Sequence, residues 1–217
     1  MRVQFRDREE AGRLLAERLA AYGNRSDVIV LGLPRGGVVV GCEIAEALAV
    51  PLDVFLVRKL GVPGFEELAM GAIAMGGEQV VDPDVVEELD ITGSAMRHVA
   101  AIENRELERR ERVYRGSLPP FNVRGKVVII ADDGIATGAT IRVAIAALQK
   151  MHPARIVVAA GVAPLSTYLM LGTEADEIVC LLTPREFRAV GDFYVEFPQL
   201  TDEEVCKLLN RVCVGAS

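Results

Sequence analysis

Apolar residues follow two kinds of pattern along the chain, and the two alternate. Short runs rich in β-branched residues predict buried strands, whereas apolar positions at helical spacing predict amphipathic helices. Strands are predicted at residues 28–31, 52–57, 127–131, 155–160 and 177–182. Helices are predicted at residues 7–22, 38–48, 94–114, 141–150, 166–171 and 202–213. This alternation predicts an α/β fold with a doubly wound, mainly parallel sheet.

Two segments fall outside the alternation. Residues 60–83 are rich in glycine, and we interpret them as a mobile loop joined to a β-ribbon at 69–74 and 79–81. Residues 183–217 are irregular and aromatic before the last helix, so we expect a small hood over the sheet, with residues 1–22 as a candidate second part. The chain is thus predicted to be one domain over 1–217, with its core at about 26–182, an insertion at 60–120 and the hood at 183–217.

The composition of the chain argues against several classes of function. The chain has 217 residues, of which 51% are hydrophobic, enough for a substantial core. A net charge of −7 argues against nucleic-acid binding, which needs basic patches, but leaves room for a small phosphorylated ligand. The 4 cysteines lack the spacing of a zinc site. A charged N-terminus and the lack of a long apolar run predict a cytoplasmic protein without a membrane partner.

The most informative segment follows the strand predicted at 127–131. Asp132 and Asp133 stand at its carboxyl end, where parallel sheets bind their ligands. In the small-residue turn that follows, Gly138 allows close approach, and backbone amides with the Thr137 and Thr140 hydroxyls suit a phosphate. The two acids suit sugar hydroxyls or a hydrated magnesium ion, so the pattern indicates a phosphorylated sugar. The alternative is that the acids only cap the next helix.

Two other phosphate motifs are absent. No GxGxxG follows a predicted strand, and GIATGAT lacks the lysine that completes a P-loop. These absences argue against nucleotide-dependent hydride transfer and against nucleoside triphosphate hydrolysis.

The segment IADDGIATGAT resembles the phosphoribosyl pyrophosphate (PRPP) signature of type I phosphoribosyltransferases. In that signature, an apolar strand leads into two acids, two further residues and a small-Thr-Gly-x-Thr loop. The resemblance implies a fold of that family, a ribose 5-phosphate held by the loop, and ribose hydroxyls and Mg²⁺ held by the acids, directly or through water. The implied PRPP-binding residues are Asp132, Asp133, Ala136, Thr137, Gly138, Ala139 and Thr140.

A second glycine-containing turn, Leu33–Gly37, follows the first strand. Its paired glycines allow close backbone approach, and Arg35 offers a forked donor for phosphate oxygens. The resemblance implies that Arg35, Gly36 and Gly37 bind pyrophosphate, and it leads us to expect a cis peptide between Pro34 and Arg35. The alternative is a tight turn whose glycines are needed only for its backbone conformation and bind no ligand.

Arg58 and Lys59 are expected at the end of the second strand, facing the same crevice as the two turns. The piece Arg58-Lys59-Leu60-Gly61 resembles the start of the active-site loop in adenine-type relatives, which implies pyrophosphate binding by both cations. The implied catalytic residues are Lys59, Asp132 and Asp133, and the implied hinge and lid residues are Gly61, Pro63, Gly64, Glu66 and Glu67. The alternative is that Arg58 and Lys59 only form a strand end that faces solvent.

Four aromatic residues cluster in the tail: Phe187, Phe193, Tyr194 and Phe197. Such clusters commonly belong to the core. The alternative is a hood whose ring stacks on a planar acceptor, and Phe187 in the piece TPREF is the candidate for that role.

The resemblance implies transfer of the 5-phosphoribosyl group from PRPP to a nitrogen acceptor, with a nucleobase of the salvage pathways expected and pyrophosphate released. Ala136 stands where guanine and hypoxanthine members carry an acid, which argues against a 6-oxopurine substrate.

The alternative functions are a PRPP-binding regulator or sensor without transfer activity, and a structural α/β module. The general base stays open among Glu66, Glu67, His98 and His152. The long charged helix is a spacer or a dimer arm, so a homodimer also stays open.

Overall fold

A five-stranded parallel sheet forms the centre of the computed structural model, which describes residues 4–116 and 122–214. Its strands are β1 (Val28–Gly32), β2 (Leu52–Val54), β6 (Val127–Gly134), β7 (Arg155–Val162) and β8 (Glu177–Leu182). They lie in the order β2-β1-β6-β7-β8. β1 is buried along its whole length, and β6 is buried up to Ala131 and half-buried beyond it, so burial ends where the acids begin.

Helices cover both faces of this sheet. The helices of the described residues are α1 (Arg8–Arg18), α2 (Gly36–Leu48), α3 (Pro83–Glu88), α4 (Gly93–Arg115), α5 (Ala139–Lys150), α6 (Leu165–Leu171) and α7 (Asp202–Val214). From β1 the chain moves through α2 to one edge, and from β6 it moves through α5 and α6 to the other. Right-handed crossovers therefore place α2 on one face and α5 and α6 on the opposite face. The predicted doubly wound α/β fold is confirmed.

A second sheet is antiparallel and lies between α4 and α5. Its strands are β3 (Val57–Val62), β4 (Phe65–Ala74) and β5 (Gln79–Val81), which confirms the predicted ribbon. The part at 60–64 that was predicted to be loop is instead the end of β3 and a tight turn.

The single strand predicted at 52–57 is wrong. β2 ends at Val54, and β3 begins at Val57 in the other sheet, so Arg58 and Lys59 lie inside an antiparallel strand. Between them, the Phe55 amide bonds to the Gly32 carbonyl of the first sheet, while the Leu56 carbonyl accepts from Met75 next to β4. The apolar run continues through this change of sheet, which is why periodicity could not reveal it.

A segment near the N-terminus pairs with the segment that follows β8. Phe5 forms a bridge with Tyr194, with its amide donating to Phe193 O at 2.8 Å and its carbonyl accepting from Val195 N at 2.8 Å. These rings, with Ala11 and Val162, form a small apolar cluster beside the main core. Among the described residues, no helix combines the length and the apolar character needed to cross a membrane.

Candidate active site

The site lies where the strand order reverses, between β1 and β6. These two strands are direct neighbours, and Gly32 at the end of β1 pairs with Ala131, just before the acids. In open α/β sheets, ligands bind in the crevice outside the carboxyl ends of the strands at this reversal point. The structure therefore brings together the two turns that the sequence indicated separately.

Gly36 and Gly37 form the contact between the turn after β1 and the end of β6. A Cβ on Gly36 would overlap the Asp133 carboxylate, and a Cβ on Gly37 would overlap the Ala131 carbonyl oxygen. Neither glycine has a positive φ, so close approach of β6 is the reason for glycine here. The Pro34–Arg35 peptide is cis, as expected.

Asp133 is held by a residue that the sequence did not single out. Arg8 Nε donates to Asp133 Oδ2 at 2.7 Å, and the side chains are only 10% and 13% exposed. Arg8 also donates through Nη1 to Pro198 O at 2.8 Å, and its guanidinium lies 3.7 Å from the centroid of the Phe197 ring. The Tyr194 hydroxyl donates to the Asp133 carbonyl oxygen at 2.5 Å. Helix α1, the β6 tip and the tail thus meet at one carboxylate.

One local signal could have drawn attention to Arg8. It is the first residue of α1, where the helix dipole disfavours a cation. A cation that stays in this position, buried, needs a negative partner from elsewhere in the fold.

Asp132 has a different environment from its neighbour. Burial and the adjacent Asp133 charge raise the pKa of Asp132 well above its usual value of 3.8. Its Oδ1 accepts a hydrogen bond from the Asp133 amide at 2.9 Å. A cationic ligand would stabilise the ionised form of this carboxyl, whereas Asp133 already has Arg8.

The loop after β6 leads directly into α5. Gly138 is the N-cap residue at φ 80°, and it makes no side-chain cap bond. A Cβ on Gly138 would lie 2.9 Å from Met170 Cε and 3.0 Å from Thr167 Cγ2, so α6 braces the loop from behind. Thr167 Oγ1 also donates to Ala136 O at 2.8 Å. The remaining loop residues are exposed, namely Ala136, Thr137, Ala139 and Thr140. This is a helix N-terminus suited to an anion.

Beside the turn after β1 lies a cavity of about 460 Å³, which we call the arginine cavity. Its lining residues are Arg8, Pro34, Arg35, Gly36, Arg110, Phe197, Pro198, Gln199 and Leu200. Arg35 is oriented by the tail, since Nε donates to Asp202 Oδ1 at 3.0 Å and Nη1 donates to Leu200 O at 2.8 Å. The cavity therefore presents guanidinium groups from α1, α4 and the predicted pyrophosphate turn.

Arg58 and Lys59 line a different cavity, of about 880 Å³, between β3 and α4. Arg58 is paired with Glu103 of α4 at 2.6 Å, and Lys59 is exposed. The structure thus does not bring these cations into the arginine cavity, and their role at pyrophosphate stays a prediction. Glu66 and His98 line the same 880 Å³ cavity. His152, in contrast, lies between α5 and β7, at the amino edge of the sheet.

Phe187 is half-buried in the small apolar cluster. Its ring stacks on Phe193 with centroids 5.7 Å apart and an angle of 16° between the planes. One face of the ring is therefore used in packing, and stacking on an acceptor stays a prediction.

Comparison with known proteins places these features in a family. The model of the phosphoribosyl transferase domain matches residues 6–197. Two Mycobacterium tuberculosis proteins (strains H37Rv and CDC 1551), each named "Putative phosphoribosyl transferase", are 44% identical over 207 residues, which are 95% of this chain and 46% of theirs. The chain thus spans about half the length of these curated relatives.

A solved structure is similar over the whole fold. The crystal structure of TT1426 from Thermus thermophilus has a TM-score of 0.86 and 42% sequence identity, covering 96% of this chain and 99% of that one. The family match, at residues 6–197, includes both turns and the Arg8–Asp133 pair. The chain therefore belongs to the phosphoribosyl transferase domain family.

Proposed function

We propose that this chain transfers the 5-phosphoribosyl group of PRPP to a nitrogen acceptor and releases pyrophosphate. The observation that carries the proposal is the packing of Gly36 and Gly37 against the tip of β6. Because of that contact, a phosphate-binding helix terminus, a pair of acids and a basic turn share one crevice at the reversal point of the sheet.

Each part of the crevice suits one part of PRPP. The helix N-terminus at residues 136–140, with the hydroxyls of the exposed residues Thr137 and Thr140, suits the 5-phosphate. The carboxylates of Asp132 and Asp133 suit the ribose hydroxyls, and Arg35 suits pyrophosphate oxygens through its fork of N–H donors. In the reaction, the bond from carbon 1 to the pyrophosphate oxygen breaks as the bond to the acceptor nitrogen forms. Groups fixed in advance around the developing charges lower the barrier.

The donor set for magnesium is small. Among residues 4–116 and 122–214, no group of three or more His, Cys, Asp or Glu side chains could hold a metal. Magnesium is commonly held by one or two carboxylates together with substrate phosphates and water, and Asp132 with Asp133 fits that mode. In that role the metal would offset pyrophosphate charge, and it would stabilise the ionised form of Asp132, whose pKa is raised by burial and by the Asp133 charge.

For the acceptor we propose a planar nitrogen heterocycle, with a nucleobase as the first class to test. Ala136 supplies no carboxyl next to the acid pair, which argues against a 6-oxopurine. The tail places the Phe197 ring in the wall of the arginine cavity, 37% exposed, and Phe187 in the apolar cluster behind it. Each ring already has packing partners, since Arg8 and Tyr194 contact Phe197 and Phe193 stacks on Phe187. Of the two, Phe197 is the one that lines the arginine cavity, so it is the second candidate for stacking beside Phe187.

The test is calorimetric titration of PRPP with Mg²⁺, followed by pyrophosphate-release assays with a panel of nucleobases. Asp132→Asn keeps the shape and the Oδ1 acceptor of the side chain, so we expect a folded protein with PRPP affinity reduced about tenfold or more. The control is Asp27→Asn, which removes an exposed acid just before β1, at the opposite edge of the sheet.

The outcomes separate the candidate functions. Turnover with one acceptor establishes the transferase. PRPP binding without turnover for any acceptor would favour the sensor, for which the placement of Arg58 and Lys59 outside the arginine cavity is the structural argument. Wild-type PRPP affinity in Asp132→Asn would overturn the assignment of the acids.

A further inference from the structure

We infer that Arg110, in the long charged helix α4, is a further pyrophosphate-binding residue. The inference rests on the proposed function and deepens it, because it assigns a task at the same site to a helix outside the two turn motifs. Its basis is the position of Arg110 in the wall of the arginine cavity, together with Arg35 and Gly36 of the predicted pyrophosphate turn.

A hydrogen-bond chain joins this face of α4 to the turn after β1. Tyr114 lies four residues after Arg110, so the two side chains share one face of the helix. The Tyr114 hydroxyl donates to Asp202 Oδ1 at 2.6 Å, and the same oxygen accepts from Arg35 Nε at 3.0 Å. The charge of Arg110 also helps to lower the pKa of Asp202. Arg35 therefore contacts the Asp202 carboxylate directly, and Arg110 lies near enough for its charge to act on the same group.

The ion pair between Arg110 and Glu106 is weak enough to be exchanged for a ligand. Arg110 Nε contacts Glu106 Oε1 at 2.9 Å, but the side chains are 40% and 30% exposed, and exposed pairs contribute little. Glu106 has a second partner in Arg109, which donates to both carboxylate oxygens, at 2.7 and 2.9 Å. If Arg110 turns toward a ligand, Glu106 therefore keeps a bidentate ion pair.

The charges of the cavity favour an anion with several oxygens. The described residues that line it include three arginines and no acid. Arg8 is committed to Asp133 in a nearly buried pair, and the charge of Arg35 is already opposed by Asp202. Arg110 is thus a guanidinium whose charge can be redirected at small cost, because Glu106 keeps Arg109, and its planar fork suits pyrophosphate oxygens.

The chain offers a matched control for a test. Arg109 lies next to Arg110 on α4 and contacts the same glutamate, but it does not line the cavity. We would titrate inorganic pyrophosphate with Mg²⁺ into the full chain and into Arg110→Gln, Arg110→Lys, Arg109→Gln and Arg35→Gln, with thermal unfolding to verify each fold. We expect about tenfold weaker binding for Arg110→Gln, about threefold for Arg110→Lys and less than twofold for Arg109→Gln.

Each result supports or overturns the inference. Binding that depends on Arg35 but is equal in Arg110→Gln and Arg109→Gln would overturn the role of Arg110 and leave the proposed function standing. Absence of pyrophosphate and PRPP binding in the wild-type chain would overturn both. In a third case, Arg110→Gln loses both thermal stability and pyrophosphate affinity, and Arg110→Lys shows no intermediate affinity. Arg110 would then have a structural role, which would also overturn the inference.

Discussion

The loop between β6 and α5 and the arginine cavity both border the crevice at the carboxyl edge of the sheet, but they are assembled differently. The loop and the ends of β6 and α5 are built from consecutive residues, 132–140, and their shape depends on Gly138 and on the brace from α6. The cavity instead collects guanidinium groups from α1, from the turn after β1 and from α4, and the tail segment Phe197–Leu200 completes its wall.

The loop and the cavity therefore hold their binding groups in position by different means. In the loop, the positive φ of Gly138 and the contacts with α6 fix the backbone itself. In the cavity, Arg8 and Arg35 are long cationic side chains that are each held by a counter-ion and a carbonyl from a remote part of the chain. A substitution in the loop should therefore lower stability by straining the backbone. A substitution in the cavity should lower stability by leaving a charge unpaired.

The largest effect is expected from Arg8→Met. This change leaves Asp133 nearly buried without its cation, which should reduce the free energy of unfolding by about 3 kcal/mol. The control is Arg13→Met on the same helix, whose side chain is 46% exposed in its pair with Glu43 and should contribute less than about 1 kcal/mol, since Glu43 keeps a second partner in Arg211. Denaturant unfolding of both variants, with Asp133→Asn to complete a double-mutant cycle, measures the coupling. Equal losses for Arg8→Met and Arg13→Met would show that the cavity is not held by paired charge.

Gly138→Ala tests the loop side of the comparison. The left-handed backbone and the contacts of a Cβ with Met170 and Thr167 should together reduce the free energy of unfolding by about 2 kcal/mol. Gly125→Ala is the matched control, because Gly125 has φ 69° and no atom within 4 Å of a Cβ, so only about 1 kcal/mol is expected. If thermal or denaturant unfolding gives the same loss for both, the brace from α6 contributes nothing.

Asp132→Asn should stabilise the chain by about 1 kcal/mol at neutral pH. The pKa of Asp132 is raised in the folded state, so the folded protein binds this proton more readily than the unfolded chain does. Wild-type stability therefore falls as pH rises from 3.8 through the raised folded value, and the variant avoids this loss. Unfolding measured across this range should show the advantage of the variant at high pH and its disappearance below 3.8. An advantage that is constant with pH would contradict the account.

The smallest effect is expected from Asp202→Asn. The Arg35–Asp202 pair is 42% and 39% exposed, so stability should change by less than about 1 kcal/mol. Asparagine keeps the acceptor for Tyr114 and removes the charge that competes with pyrophosphate for Arg35, so pyrophosphate should bind roughly two- to threefold more tightly. Weaker binding in calorimetry would show that Asp202 positions Arg35 rather than competing for it.

The two regions also differ in how far the sequence could predict them. The β6–α5 loop was predictable because strand, acids, small turn and helix follow one another within one short segment. The Arg8–Asp133 and Arg35–Asp202 pairs join residues 125 and 167 positions apart, and local periodicity carries no information about such partners. The parallel sheet was predicted well, but the change of sheet between Val54 and Val57 was hidden, because burial in either sheet requires the same apolar residues.

The contacts of Arg8 have a consequence for the order in which the protein is made. Arg8 precedes its acceptors at Asp133 and Pro198 by 125 and 190 residues in the chain. The parallel sheet can begin to assemble as its strands emerge, whereas this guanidinium has no counter-ion until β6 is present and no carbonyl until the segment around Pro198 has been translated. A truncated product that ends after β8 would therefore contain the whole sheet but lack the tail segment that completes the wall of the arginine cavity.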